Sequence, residues 1–259
     1  EKEDGIATLT LNRPQRLNAV NDQVFADLEA CLADIAQDPG LRVVVITGAG
    51  RAFCSGADFK GDQAAFQWLD KGDLAGFQAY YHSFIANLVR GVQNLHLPII
   101  AMVNGPALGI GFDFVLLCDI RVGSDKAEFS VLWVRRGVIP AAGGALLLPR
   151  IVGVDRAADL MFTARFVGAE EAYRIGILDR LVPHDDLRRE TMALARSIAE
   201  NPPVAVRLTK LCLYRGLDAD FSTGLELLGA CQTIAIHSED FKEAASAFRE
   251  KREPRFQGR

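Results

Sequence analysis

Two glycine-rich segments hold the residue types best suited to chemistry: Arg51-Ala-Phe-Cys-Ser-Gly-Ala-Asp58 and Val103-Asn-Gly-Pro-Ala-Leu-Gly-Ile-Gly-Phe-Asp113. Each places glycine and small residues just after an apolar run, where a ligand can approach main-chain N–H groups closely. The second also opens a helical stretch, whose first N–H groups lack intrahelical partners and lie at the positive end of the helix dipole. Two such donors converging on one oxygen form an oxyanion hole, each contributing about 3 to 4 kcal/mol to transition-state stabilisation. Asp113 falls in the opening turn of that helix, where an acid serves either proton transfer or simple bonding to local N–H groups.

Competing motifs are incomplete. The run Leu41 to Thr47 into Gly48-Ala-Gly50 starts like a dinucleotide-binding turn, but Phe53 stands where the third glycine belongs, and no clear helix follows directly. Cys54-Ser55-Gly56 is not the G-x-S-x-G elbow of a hydrolase, so Ser55 is read as a turn residue. Five scattered cysteines and four histidines (His82, His96, His184 and His237) show neither disulfide nor metal-ligand spacing.

The elements that must position the two segments follow from hydrophobic periodicity. Gly5 to Leu11 alternates as a strand. Val24, Leu28, Cys31, Leu32 and Ile35 recur at helical spacing until Pro39-Gly40, and Leu41 to Thr47 is a continuous apolar strand of the buried kind. This β-helix-β order predicts parallel pairing. A polar helical region with interspersed aromatic residues is expected from about Lys60 to Asn94, as a flexible or substrate-shaped insertion. Leu97 to Val103 is a second buried strand, followed by a helix over Ile110 to Cys118 and shorter strands at Asp119 to Val122 and Lys126 to Phe129. Helices are expected after Gly144, over Val154 to Thr163, over Gly168 to Tyr173, and throughout the chain beyond Pro202-Pro203. The expected domains are an α/β core over 1–200 and a helical region over 201–259.

The chain has 259 residues, 49% of them hydrophobic, enough for one large α/β core. A net charge of -4 gives no basic field for nucleic acid. No run of 18 apolar residues or basic-plus-apolar leader occurs, so neither membrane association nor secretion is expected, and a cytoplasmic location is.

Taken in order, Asn12-Arg13-Pro14 with Leu17-Asn18-Ala19, Val45-Ile46-Thr47-Gly48, Phe53 to Asp58, Asn104-Gly105, Cys118-Asp119-Ile120, Gly137 to Pro140, Gly168 to Ala172 with Gly176, and Phe248 to Arg252 resemble the crotonase (enoyl-CoA hydratase/isomerase) superfamily along nearly the whole chain. The resemblance implies a spiral of ββα units with a C-terminal helical trimerisation region, assembled as a homotrimer or homohexamer. It implies a CoA thioester substrate and no metal or redox cofactor. It also assigns the N–H groups of Ala57 and Ile110 to the thioester oxygen of an enolate. Ile110 stands where many members carry glycine, and its branched side chain requires that the turn avoid a left-handed conformation there.

Hydratases of that superfamily typically use two glutamates. At the first position this chain has Asp113; at the second it has Trp133, and Ala141 occupies a position used for an acid in some isomerases. A lyase or isomerase with Asp113 as its single acid/base is therefore expected. Hydrolysis, decarboxylation, carbon-carbon cleavage and acyl-CoA binding without turnover are the alternatives. Trp133 is expected to wall the acyl pocket, and Arg135 or Arg136 to meet a substrate carboxylate or Asp113. The resemblance places Arg16, Leu17, Asp58 and Gly109 beside the CoA ester, with Lys251 or Arg252 reaching a phosphate.

Overall fold

A computed structural model describes residues 1–58 and 72–259. Its main sheet has six strands in the order β1-β2-β3-β4-β6-β9. β1 (Lys2–Glu3) pairs antiparallel with β2 (Ile6–Leu11), and β3 (Val43–Gly48), β4 (Ile99–Val103), β6 (Ile120–Ser124) and β9 (Arg180–Val182) extend the sheet in parallel. The expected pairing of the first two apolar strands is present, in register from Ile6 opposite Val43 to Leu11 opposite Gly48. A second, three-stranded sheet joins β5 (Ala107–Leu108), β7 (Glu128–Ser130) and β8 (Val167–Gly168).

Every residue of β3 and β4 is buried because helices cover both faces of the sheet. Side chains alternate between those faces with period two. Val44, Ile46, Ile99 and Ala101 join the larger core with α1 (Asp22–Gln37), whereas Val43, Val45, Ile100 and Met102 pack on α8 (Leu187–Ala199). The expectations from sequence include neither α8 nor β9. The buried positions of α8 are Leu187, Thr191, Leu194, Ala195 and Ala199, at helical spacing among charged neighbours, so its inner face was legible but was not read.

Within the expected polar helical region, residues 60–71 lie outside the described residues. Thereafter α2 (Leu74–Tyr80), a π-helical turn (Tyr81–Ala86) and α3 (Asn87–Asn94) form a helical run. The intervening helices are α4 (Ile110–Leu117), α5 (Gly144–Val152), α6 (Val154–Thr163) and α7 (Ala169–Arg174). Beyond Pro202 come α9 (Pro203–Asp218), α10 (Phe221–His237) and α11 (Glu239–Glu250), with Pro203 in the opening turn and the side chains of Asp220 and Ser238 as N-caps. Lys210 of α9 docks this tail on the core through Asp119 at 2.7 Å and the Leu97 carbonyl at 2.8 Å. Among the described residues no helix is long and apolar enough to cross a membrane.

Candidate active site

The first loop is joined to two neighbouring segments. On one side Cys54 N–H donates to the Pro106 carbonyl and Leu108 N–H donates to the Cys54 carbonyl. On the other, Ser55 N–H donates to Leu17, Val20 N–H to Gly56 and Asp58 N–H to Val20, giving a short parallel bridge between Val20 and Ala57. All peptides are trans, so the N–H and C=O of one peptide unit point in opposite directions. Because the Gly56 carbonyl is turned to Val20, the Ala57 N–H must point to the other side, away from the bridge.

The second loop orients its donor in an analogous way. Gly109 takes φ +53, and its carbonyl accepts the N–H groups of Phe112 and Asp113 down the axis of α4. The Ile110 N–H therefore projects outward from the helix N-terminus, and no bond from it, or from the Ala57 N–H, reaches another described residue. Ile110 itself keeps ordinary helical geometry, as its branched side chain requires. Glycine at 109 absorbs the positive φ instead. The two loops touch: a Cβ on Gly109 would lie 3.9 Å from the Gly56 Cα.

All eight residues of α4 are buried, and Asp113 is its single ionisable group. A carboxyl in such surroundings loses its water, and burial pushes Asp113 from an ordinary value near 3.8 up to about 7. The Trp133 indole N–H donates to Asp113 Oδ2 at 3.0 Å and opposes part of that rise. Trp133 comes from a 3-10 turn (Leu132–Arg136), and its ring edge also lies 3.9 Å from the position of a Cβ on Gly109. The indole thus spans the gap between the second loop and the acid. On the other side of the carboxyl, Oδ1 lies against Gly144 at the start of α5, where a Cβ would stand only 2.1 Å away. The loop before α5 is tied to the π-helical turn, where the Tyr81 hydroxyl donates to the Ala141 carbonyl at 3.0 Å.

Ala57, Gly109, Ile110, Asp113 and Trp133 therefore form one contiguous group. Leu17 takes a left-handed conformation beside it and accepts from Ser55, while the Arg16 side chain is exposed. Asp58 is buried and its carboxylate accepts from Arg13 Nη2 at 2.8 Å. Arg135 sits over the Phe166 ring, 5.9 Å from its centroid. Lys251 is exposed at the end of α11, and Arg252 pairs with Glu243 and Glu250. Sequence reasoning did not anticipate the Asp113–Trp133 bond, the approach of Gly144 or the Arg13–Asp58 pair. The sole prior signal was that Arg13, Trp133 and Gly144 lie in or beside segments already singled out. Among the described residues no group of three or more His, Cys, Asp or Glu side chains is placed to hold a metal ion.

A sequence profile described as enoyl-CoA hydratase/isomerase matches residues 1–259. The chain is 36% identical over 258 residues to the short-chain-enoyl-CoA hydratase of Clostridium acetobutylicum, covering 97% of this chain and 94% of that protein. It is also 36% identical over 258 residues to the 1,2-epoxyphenylacetyl-CoA isomerase of Escherichia coli K12, covering 99% of this chain and 97% of the other. The crystal structure of a putative enoyl-CoA hydratase from Streptomyces coelicolor A3(2) superimposes with a TM-score of 0.93 at 36% identity, covering 100% of this chain and 93% of that one. Overall identity thus favours neither the hydratase nor the isomerase among these relatives.

Proposed function

The chain belongs to the enoyl-CoA hydratase/isomerase family, and from that premise we propose that it moves protons at the α-carbon of an acyl-CoA thioester, with Asp113 as its single acid/base. The observation that supports this most directly is the position of Asp113. It is a buried carboxyl poised near neutrality, in the first turn of the helix that presents the Ile110 N–H.

In the proposed step, ionised Asp113 takes a proton from the α-carbon. The C–H electron pair becomes the carbon-carbon π bond of an enolate, and the carbonyl π pair moves onto the thioester oxygen. The N–H groups of Ala57 and Ile110 bind that oxygen. Neutral Asp113 then returns its proton to the same carbon or to one conjugated with it, and the latter outcome is isomerisation. Indole has no accessible basic lone pair, so Trp133 supplies no second proton carrier. This favours isomerisation over hydration by two acids. The steps use only the thioester, one carboxyl and two main-chain amides.

The test is deuterium exchange at the α-carbon of butyryl-, decanoyl- and phenylacetyl-CoA in D2O, followed by mass spectrometry. Wild type is expected to exchange at least one of the three, and Asp113→Ala to slow that exchange at least about a hundredfold with binding largely kept. Near-normal exchange by Asp113→Ala, or none by wild type, overturns the proposal.

A further inference from the structure

Arg13 stands 45 positions before the residue it grips, and nothing in the proposed reaction uses it directly. Its guanidinium spans two parts of the bridge that orients Ala57. Nη1 donates to the Ala19 carbonyl, and Nη2 donates at 2.8 Å to the Asp58 carboxylate, which is 5% exposed. Asp58 and Ala19 belong to the two strands of the bridge, whose own bonds run from Val20 N–H to Gly56 and from Asp58 N–H to Val20, both at 2.8 Å. The fork thus ties together both sides of a contact that the two bridge bonds and the bond from Ser55 N–H to Leu17 also hold.

The base of the fork is itself fixed. Arg13 N–H donates to Asn18 Oδ1 at 2.9 Å, and Asn18 Nδ2 donates to the carbonyls of Ala49 and Ala52 in the first loop. Pulled apart at Ala19 and Asp58, the bridge would release the Gly56 carbonyl, and the peptide unit could rotate. The Ala57 N–H belongs to that same unit. From this geometry we infer that Arg13 is a positioning residue that aims the Ala57 N–H at the thioester oxygen, a role that rests on the oxyanion assignment proposed above. Only the planar guanidinium presents two donors in fixed relative directions, so lysine keeps the charge and loses the fork.

The experiment uses whichever of the three acyl-CoA esters exchanges fastest, labelled with 13C at the thioester carbonyl. Isotope-edited infrared difference spectra record the fall in carbonyl stretching frequency on binding, calorimetry gives Kd, and α-exchange gives the rate. In Arg13→Lys the downshift is expected to shrink and exchange to slow about ten- to a hundredfold, as for a small misplacement of a reacting group, while Kd stays within about threefold. Because a lone charge near Asp58 threatens folding, the double variant Arg13→Gln with Asp58→Asn removes both charges together. It is expected to show the same loss of downshift.

A full downshift and wild-type exchange in both variants overturns the role. So does weakened binding with the downshift intact, which would make Arg13 part of the CoA grip. No downshift in wild type brings down the oxyanion assignment itself, an outcome distinct from the other two because it appears before any substitution.

Discussion

The loop that ends at Asp58 and the segment from Leu132 to Gly143 both meet Gly109, through Gly56 and Trp133, yet they are held by different means. The first is crossed by main-chain bonds to Leu17, Val20, Pro106 and Leu108, and braced by the side chains of Asn18, Asn104 and Arg13. The second has mainly short local turns, an exposed Ile139, a hydroxyl bond from Tyr81, the Arg135 guanidinium over Phe166, and the indole bond to Asp113. The part proposed to receive negative charge is thus held from several sides, the Arg13 fork among them, while the part proposed to move the proton is held mainly by side chains. A donor made of main chain must be fixed by its backbone; a carboxyl can be aimed by packing and one hydrogen bond.

If that contrast is right, small changes on the acid side should disturb catalysis more than stability. Among changes that leave the acid itself in place, the largest effect on exchange is expected from Gly144→Ala, because its Cβ would fall on Asp113 Oδ1. The buried carboxyl must then shift, and α-exchange should fall about tenfold to a hundredfold with about 1 to 3 kcal/mol lost from unfolding stability. Unchanged exchange in that variant would show that Asp113 is not held where its chemistry needs it.

The pH dependence of folding tests the same carboxyl through stability. The unfolded Asp113 carboxyl ionises near 3.8, whereas the folded one keeps its proton up to about 7. The folded state therefore binds more protons across this window, and this group's contribution to stability, full below pH 4, is lost as pH rises to about 7. Asp113→Asn should be more stable than wild type above pH 7, by about 2 to 4 kcal/mol, with the difference vanishing below pH 4. Chemical denaturation across that range measures it, and a pH-independent difference would contradict a buried, proton-holding acid.

The smallest effect is expected from Trp133→Phe. Removing the indole N–H takes away the bond that holds Asp113 lower, so the rising limb of exchange against pH should move to higher pH. Exchange at neutral pH should fall about threefold to tenfold while the plateau at high pH changes less. A uniform loss at every pH would instead make Trp133 a wall of the pocket alone.

The same contrast governs what could be read before the structure. The buried strands, the helix after Gly109 and the two glycine turns are written in local apolar runs and in residue types with a strong backbone preference, and the structure contains them. The demand that Ile110 avoid positive φ was equally local, and Gly109 meets it. The partners of Asp113 were not local. Trp133 arrives from a short 3-10 turn without a periodic signal, and Gly144 matters only through what lies opposite its missing Cβ. Arg13 finds Asp58 across 45 residues, a pairing that no spacing rule encodes. Helix α8 was legible by the same local rule, since Leu187, Thr191, Leu194, Ala195 and Ala199 recur on one face, and it was overlooked.

The division of labour between Gly109 and Ile110 bears on how such a site can change over generations. The left-handed geometry is confined to Gly109, and the donor is an amide that every residue except proline possesses. Position 110 can therefore change among side chains that tolerate helical geometry and fill the same buried space, and its main-chain N–H is kept. In the proposed reaction, a lineage can repack the core there without first surrendering the donor.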